Sequence, residues 1–144
     1  MKKDYTPNNK LGDTYEDLLK PRLEKFLKQP LIKSDNRYSH YDFKTENGIQ
    51  VELKSRNYKS SDFNTTMLSK SKYDYILKQK ELDVVTYVFV YFIKNNVLMY
   101  CNQFNNIVKG TQTYEHKYKN YTVENVLLDL SKFHIVDAIT EPNE

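Results

Sequence analysis

Apolar positions recur at two different spacings along the chain, and the change from one to the other sets out its elements. Tyr15, Leu18, Leu19, Leu23, Phe26 and Leu27 fall at helical spacing, and Asp13 with Glu16 three residues later forms a capping-box-like start. A first helix is predicted over residues 13–28. Pro21 removes one backbone donor inside it, so the helix is expected to kink there or to split into two short pieces. The polar residues 1–10 read as a flexible leader.

Period-two alternation follows. In the segment 38–44, Tyr41 and Phe43 face one way and His40, Asp42 and Lys44 the other. In 49–55, Ile49, Val51 and Leu53 oppose Gln50, Glu52 and Lys54. The connector Thr45-Glu46-Asn47-Gly48 is a turn signal, so the two segments form a β-hairpin. A two-residue turn at Asn47-Gly48 would set Asp42 opposite the core residue Leu53. A three-residue loop Glu46-Asn47-Gly48, with a left-handed Gly48, instead sets Asp42 opposite Glu52 and buries Tyr41, Phe43, Val51 and Leu53 together.

A polar loop to Asn64 leads to a second predicted helix, capped by Thr65 or Thr66 and running to about Lys80. The β-branched and aromatic run from Val84 to Ile93 reads as a central strand buried on both faces, and Val97 to Cys101 as its neighbour. Residues 121–130 fit a strand or a helix, and the favoured reading is a strand followed by a short helical turn near Ser131. The order helix, hairpin, helix, strand, strand indicates an α/β chain, a mixed sheet flanked by helices.

Composition narrows the function classes. The chain has 144 residues, 39% of them hydrophobic, which fits one packed domain over residues 1–144 and argues against disorder. The apolar run of the central strand is too short to span a bilayer, and Met1-Lys2-Lys3-Asp4-Tyr5 has no apolar signal region, so no membrane partner is expected and the reading is a soluble, intracellular protein. The single cysteine, Cys101, excludes an internal disulfide and a cysteine zinc cage. Residues 1–80 hold 17 basic against 11 acidic residues, and 81–144 hold 5 against 8. The first part is the place to seek a polyanion site. Richness in Lys, Asn, Tyr and Ile equally follows from an AT-rich genome, which is compatible with a viral or mobile-element origin.

Asp42 and the tripeptide Glu52-Leu53-Lys54 supply the candidate chemistry. Two carboxylates and the Leu53 backbone carbonyl offer hard oxygen ligands to Mg²⁺ or Mn²⁺, and the Lys54 ammonium can orient a water or counter charge on a phosphoryl oxygen. With nine Glu and 19 Lys in the chain, E-x-K alone carries little information. Its setting carries more: the polar triad alternates with apolar residues on both strands, and a turn falls midway between the carboxylates. A half-exposed polar hairpin face explains the same residues, but a like-charge pair across two strands costs stability unless a cation or proton lies between. Arg56 shares the face of Lys54 and suits a phosphate contact. His40 shares the face of Asp42, as an auxiliary ligand or a surface residue. Tyr114, Lys117, Tyr118, Lys119 and Tyr121 interleave rings with charge as base-stacking surfaces do, and as edge strands also do.

Tyr41-Asp42-Phe43 through Val51-Glu52-Leu53-Lys54-Ser55-Arg56, between a preceding acidic helix and a following helix and aromatic strand, resembles the PD-(D/E)XK restriction-endonuclease-like nuclease superfamily over residues 13–101. The resemblance implies an αβββαβ core, Mg²⁺ dependence and DNA as substrate. It makes Asp42 and Glu52 metal ligands and Lys54 the catalytic lysine. It adds a first-helix carboxylate at the site, for which Glu16 is the candidate, with Asp13 and Asp17 close by. It also adds second-helix contacts to phosphate, here Lys72 or Ser69. Tyr41 stands where the name-giving proline would be, and the third strand usual for this sheet is missing before the second helix. A chain this small leaves no room for a sequence-reading domain. The expectation is therefore a structure-selective, resolvase-like endonuclease acting on branched, flap or end DNA, as a homodimer or as a subunit of a larger complex. The competing class is an inactive nuclease-fold protein that binds nucleic acid or serves as a structural subunit. Nothing in the residues distinguishes DNA from RNA.

Overall fold

A computed structural model describes residues 7–34, 40–115 and 121–136. Helix α1 (Pro7–Leu27) is followed by β1 (Ile32–Lys33), β2 (Phe43–Lys44), β3 (Gln50–Arg56), β4 (Thr65–Ser69) and helix α2 (Lys70–Glu81). Then come β5 (Thr86–Phe92), β6 (Val97–Cys101), β7 (Val108–Glu115), β8 (Thr122–Asp129), a 3-10 turn (Leu130–Lys132) and β9 (His134–Ile135). One mixed sheet runs β1-β2-β3-β5-β6-β9, and a second, antiparallel sheet runs β4-β8-β7. Within the first, β3 and β5 are parallel, so the chain must cross from the end of one to the start of the other. Strand β4 and helix α2 make that crossing.

Strand alternation divides β3 between two cores. Val51 and Leu53 point toward α1, where Leu19 and Leu23 join Phe43, Phe89 and Tyr91. Phe26 of α1 adds edge-on contacts to Phe89 and Tyr87. On the opposite face, Val88, Val90 and Phe92 of β5 pack with Ile76 of α2, Leu68 of β4 and Val126 and Leu128 of β8. Gln50, Glu52, Lys54 and Arg56 belong by parity to this second face, the one covered by α2. Arg56 joins the two sheets: its Nη2 donates to the Met67 carbonyl at 2.6 Å and its Nε to Thr66 Oγ1 at 3.4 Å.

The hairpin takes the expected register. Phe43 pairs with Val51 and Lys44 with Gln50, and the Thr45 N–H donates to the Ile49 carbonyl, which leaves Glu46-Asn47-Gly48 as the loop. Gly48 has φ +95°, a conformation that side chains disfavour. The central strand, its neighbour β6, and the strand with helical turn near Ser131 also form as expected. Phe43, Val51 and Leu53 are buried together, while Tyr41 is only half-buried.

Other expectations need correction. The first helix starts at Pro7, six residues before Asp13, so Asp13 and Glu16 do not cap it. Proline is favoured in a first helical turn, where its missing N–H has no partner to lose. At Pro21 the helix continues as one element and does not split. Thr65 and Thr66 lie in a strand, and Ser69 caps α2, its hydroxyl accepting the Lys72 N–H at 3.3 Å. Thr65-Thr66-Met67-Leu68 is β-prone, and its pairing with β8 outweighs its capping potential. Strand β7 was not foreseen, because its exposed, polar residues carry little alternation. A third strand does precede α2 in the main sheet: it is β1, two exposed residues paired with β2. Among the described residues no helix is long and apolar enough to cross a membrane.

An added Cβ at Gly48 meets no atom within 4 Å, so a substitution there tests backbone conformation alone. Gly48→Ala is expected to lower unfolding stability by about 1 kcal/mol in urea titration, with the hairpin register unchanged.

Candidate functional site

Strand β2 stops pairing at Phe43, and the site forms where the ladder ends. The Asp42 N–H still donates to the Val51 carbonyl at 2.7 Å. The next β3 donor on that side, the Leu53 N–H, is taken at 2.8 Å by Oδ2 of the Asp42 side chain. A strand residue turns its N–H and C=O toward the same neighbour, so the Leu53 carbonyl faces this edge too. The sheet thus brings a carboxylate and a main-chain oxygen to one place.

Glu52 is the centre of the cluster. It is 1% exposed, and its Oε2 receives two ammonium groups, Lys72 Nζ at 2.6 Å and Lys54 Nζ at 3.1 Å. Its other oxygen, Oε1, is buried and has no hydrogen-bond partner. Lys54 comes from the same strand face two residues on; Lys72 comes from the first turn of α2, which Ser69 caps. Burial lowers the proton affinity of Lys72, but the charge and hydrogen bond of Glu52, with Asp42 beyond, outweigh it and hold the ammonium above its ordinary range.

Asp42 is driven the other way. Burial raises its carboxyl well above the ordinary carboxylate range, and the charges of Glu52 and then Glu16 raise it further, against the Leu53 N–H and Lys72. Glu16 is therefore close enough for its charge to act on Asp42, and it also lies 3.6 Å from the Lys33 ammonium, which reaches Asp17 at 3.3 Å. Nothing is described for the side chain of Asp13. Arg56 sits beside the cluster with its guanidinium bonded to β4, and burial, opposed by the charges of Tyr58 and Glu52, lowers its proton affinity.

The structure thus brings Asp42, Glu52, the Leu53 main chain, Lys54 and Lys72 together and sets Glu16 at their edge. Ser69 positions the helix that carries Lys72. Two further groups belong to this wall: Gln50 donates to the Tyr75 hydroxyl at 3.3 Å, and the His40 ring stacks on Tyr75 with centroids 4.4 Å apart. Gln50 shares the face of Glu52, a signal present in the sequence; Tyr75 reads there only as an apolar helix position. His116, Lys117, Tyr118 and Lys119 lie outside the described residues, while Tyr114 and Tyr121 are exposed. A separate cleft of about 340 Å³ between Ile76, Lys80, Thr86 and Phe104 includes none of the expected site residues.

Among the described residues no three His, Cys, Asp or Glu side chains gather closely enough to hold a metal ion. Two carboxylates and a carbonyl are what the cluster offers a hard cation, and the cluster fits one in two respects. Glu52 Oε1 is a buried anionic oxygen without a donor, and Asp42 binds its proton too tightly for a carboxylate in balanced surroundings.

The Asp42 carboxyl, raised in the folded chain, favours folding below the ordinary carboxylate range and loses that contribution as pH rises through its folded-state value. In EDTA at neutral pH, Asp42→Asn is expected to melt about 3 °C higher than the unmodified chain and to flatten the fall in stability above pH 5, read by thermal denaturation across pH.

Compared with known proteins, the chain matches no family model, no curated protein and no solved structure.

Proposed function

We propose that the chain is a metal-dependent nuclease in which Asp42 and Glu52, with the Leu53 carbonyl, hold Mg²⁺ or Mn²⁺ and Lys54 assists hydrolysis of a DNA phosphodiester. The observation that carries this reading is the buried Glu52 carboxylate, with one oxygen lacking a partner, beside an Asp42 that resists ionisation. A divalent cation at such a position polarises a phosphoryl oxygen and acidifies a bound water. Lys54, partly exposed where Glu52 is not, is the group that can meet solvent: its ammonium orients a water or counters charge growing on the phosphoryl oxygens. Glu52 keeps Lys54 in that position. Asp42 holds the strand edge open by satisfying the Leu53 N–H itself.

The element order supports the reading. With β4 set aside in its own sheet, the chain runs helix, three antiparallel-paired strands, helix, and a strand parallel to the third. That order is compatible with the αβββαβ core which the PD-(D/E)XK resemblance implies, with Asp42 just before the second strand and Glu52 and Lys54 on the third. A branched, flap or end structure in DNA is the proposed substrate, and a second copy or a larger assembly the proposed partner. One observation favours the non-enzymatic alternative: both cations already sit on Glu52 Oε2, an arrangement that a nucleic-acid-binding or structural subunit could keep without metal.

Incubation with linear, nicked, flap, four-way and single-stranded DNA distinguishes the two. Mg²⁺-dependent cutting, abolished by EDTA and reduced about 100-fold or more by Lys54→Ala and by Asp42→Asn, is the expected result. Cutting undiminished in Lys54→Ala removes that residue from the chemistry. Binding to DNA with no cutting in either metal establishes the alternative.

A further inference from the structure

Glu52 lies within ion-pairing distance of two ammonium groups that come from different elements and differ in what they can do. Lys54 is fixed to the same strand, two residues away, and stands 3.1 Å from Oε2. Lys72 belongs to α2, makes the shorter contact at 2.6 Å, and its side chain is about a quarter exposed. Glu52 itself is inaccessible to solvent at 1% exposure. A carboxylate so buried is costly without a counter-charge, so in the metal-free protein some cation must stay on it. Lys72 supplies the closer one. The same position is next to Asp42 and the orphaned Glu52 Oε1, the oxygens that a divalent ion would take. A doubly charged ion placed there satisfies Glu52 and repels an ammonium a few ångströms away, so the two cations compete for one carboxylate.

We propose that Lys72 is an internal counter-ion that holds Glu52 while the site is empty of metal, and that a divalent cation displaces it toward the substrate phosphate. This rests on the metal site proposed above and adds to it an exchange between two occupants. Lys72 is thereby a positioning residue in the metal-free protein and a phosphate contact in the loaded one. Its long unbranched stem and its partial exposure allow the ammonium to swing outward without moving α2. The Ser69 cap holds only the backbone of that helical turn, through the Lys72 N–H. Lys54 makes the longer contact to the same oxygen, 3.1 Å against 2.6 Å, and is the weaker counter-ion of the two.

The test measures Mn²⁺ binding directly, by the loss of the free-ion electron paramagnetic resonance signal, in the full chain and in Lys72→Met, Lys72→Arg and Asp42→Asn. Removal of the competitor is expected to tighten Mn²⁺ binding roughly tenfold in Lys72→Met, while Lys72→Arg, which keeps the charge, stays near the unmodified affinity. In EDTA the melting temperature of Lys72→Met should fall, and saturating Mn²⁺ should restore more of it than in the unmodified chain. With Ca²⁺ in place of Mn²⁺, affinity for a fluorescent oligonucleotide should drop in Lys72→Met and be retained in Lys72→Arg. Mn²⁺ binding that is lost in Asp42→Asn but unchanged or weaker in Lys72→Met would overturn the exchange and leave the metal site standing. Absence of Mn²⁺ binding in all four proteins overturns both. Should Lys72→Met fail to fold, Lys72→Gln, whose amide still donates to Glu52, gives the same comparison without the positive charge.

Discussion

A carboxylate removed from water dictates the arrangement around it. Glu52 sits in the middle of the parallel β3–β5 pair, between Val51 and Leu53 that point into the α1 core, and ionised it is tolerable only with cations within a few ångströms. One of them comes from the same strand and one from α2. The packing of that helix over the sheet and the burial of the charge are therefore each a condition of the other. Ordinary core design would place a leucine there and gain stability by it.

The sheet edge contributes the second half of the site. Asp42 lies one residue before Phe43, the first residue of β2, and its side chain replaces the main-chain acceptor that a longer strand would have offered to Leu53. It is half-buried, it faces another carboxylate, and Glu16 from α1 adds to the negative field. Strain of this electrostatic kind is ordinarily found where a protein trades stability for chemistry. Both sheets and both helices meet near this point, with Arg56 tying β3 to the main chain and hydroxyl of β4.

The parts of this arrangement that local pattern could foretell are those governed by short-range rules. Alternation placed Glu52 and Lys54 on one face, and the three-residue loop with a left-handed Gly48 set the register that faces Asp42 toward them. What escaped was decided at long range. Lys72 and Glu52 are twenty residues apart, and only the crossing of α2 over β3 makes them partners. Strand β4 mimics a helix start because Thr65 and Thr66 suit a cap as well as a strand, and its identity depends on β8, some sixty residues later. Strand β1 has two residues and no period to detect. Asp13 looked like a cap because a helix begun earlier, at Pro7, cannot be told from a polar leader by apolar spacing.

The early end of β2 has one further consequence. Had the hairpin continued its ladder by two residues, the amide and oxygen of Leu53 would have been consumed in ordinary sheet pairing, and the Asp42 side chain would have had nothing to replace. A fully zipped ribbon would be the sturdier one, but it would be chemically mute. The main-chain groups of Leu53 stay outside the ladder because a seam is left unsewn.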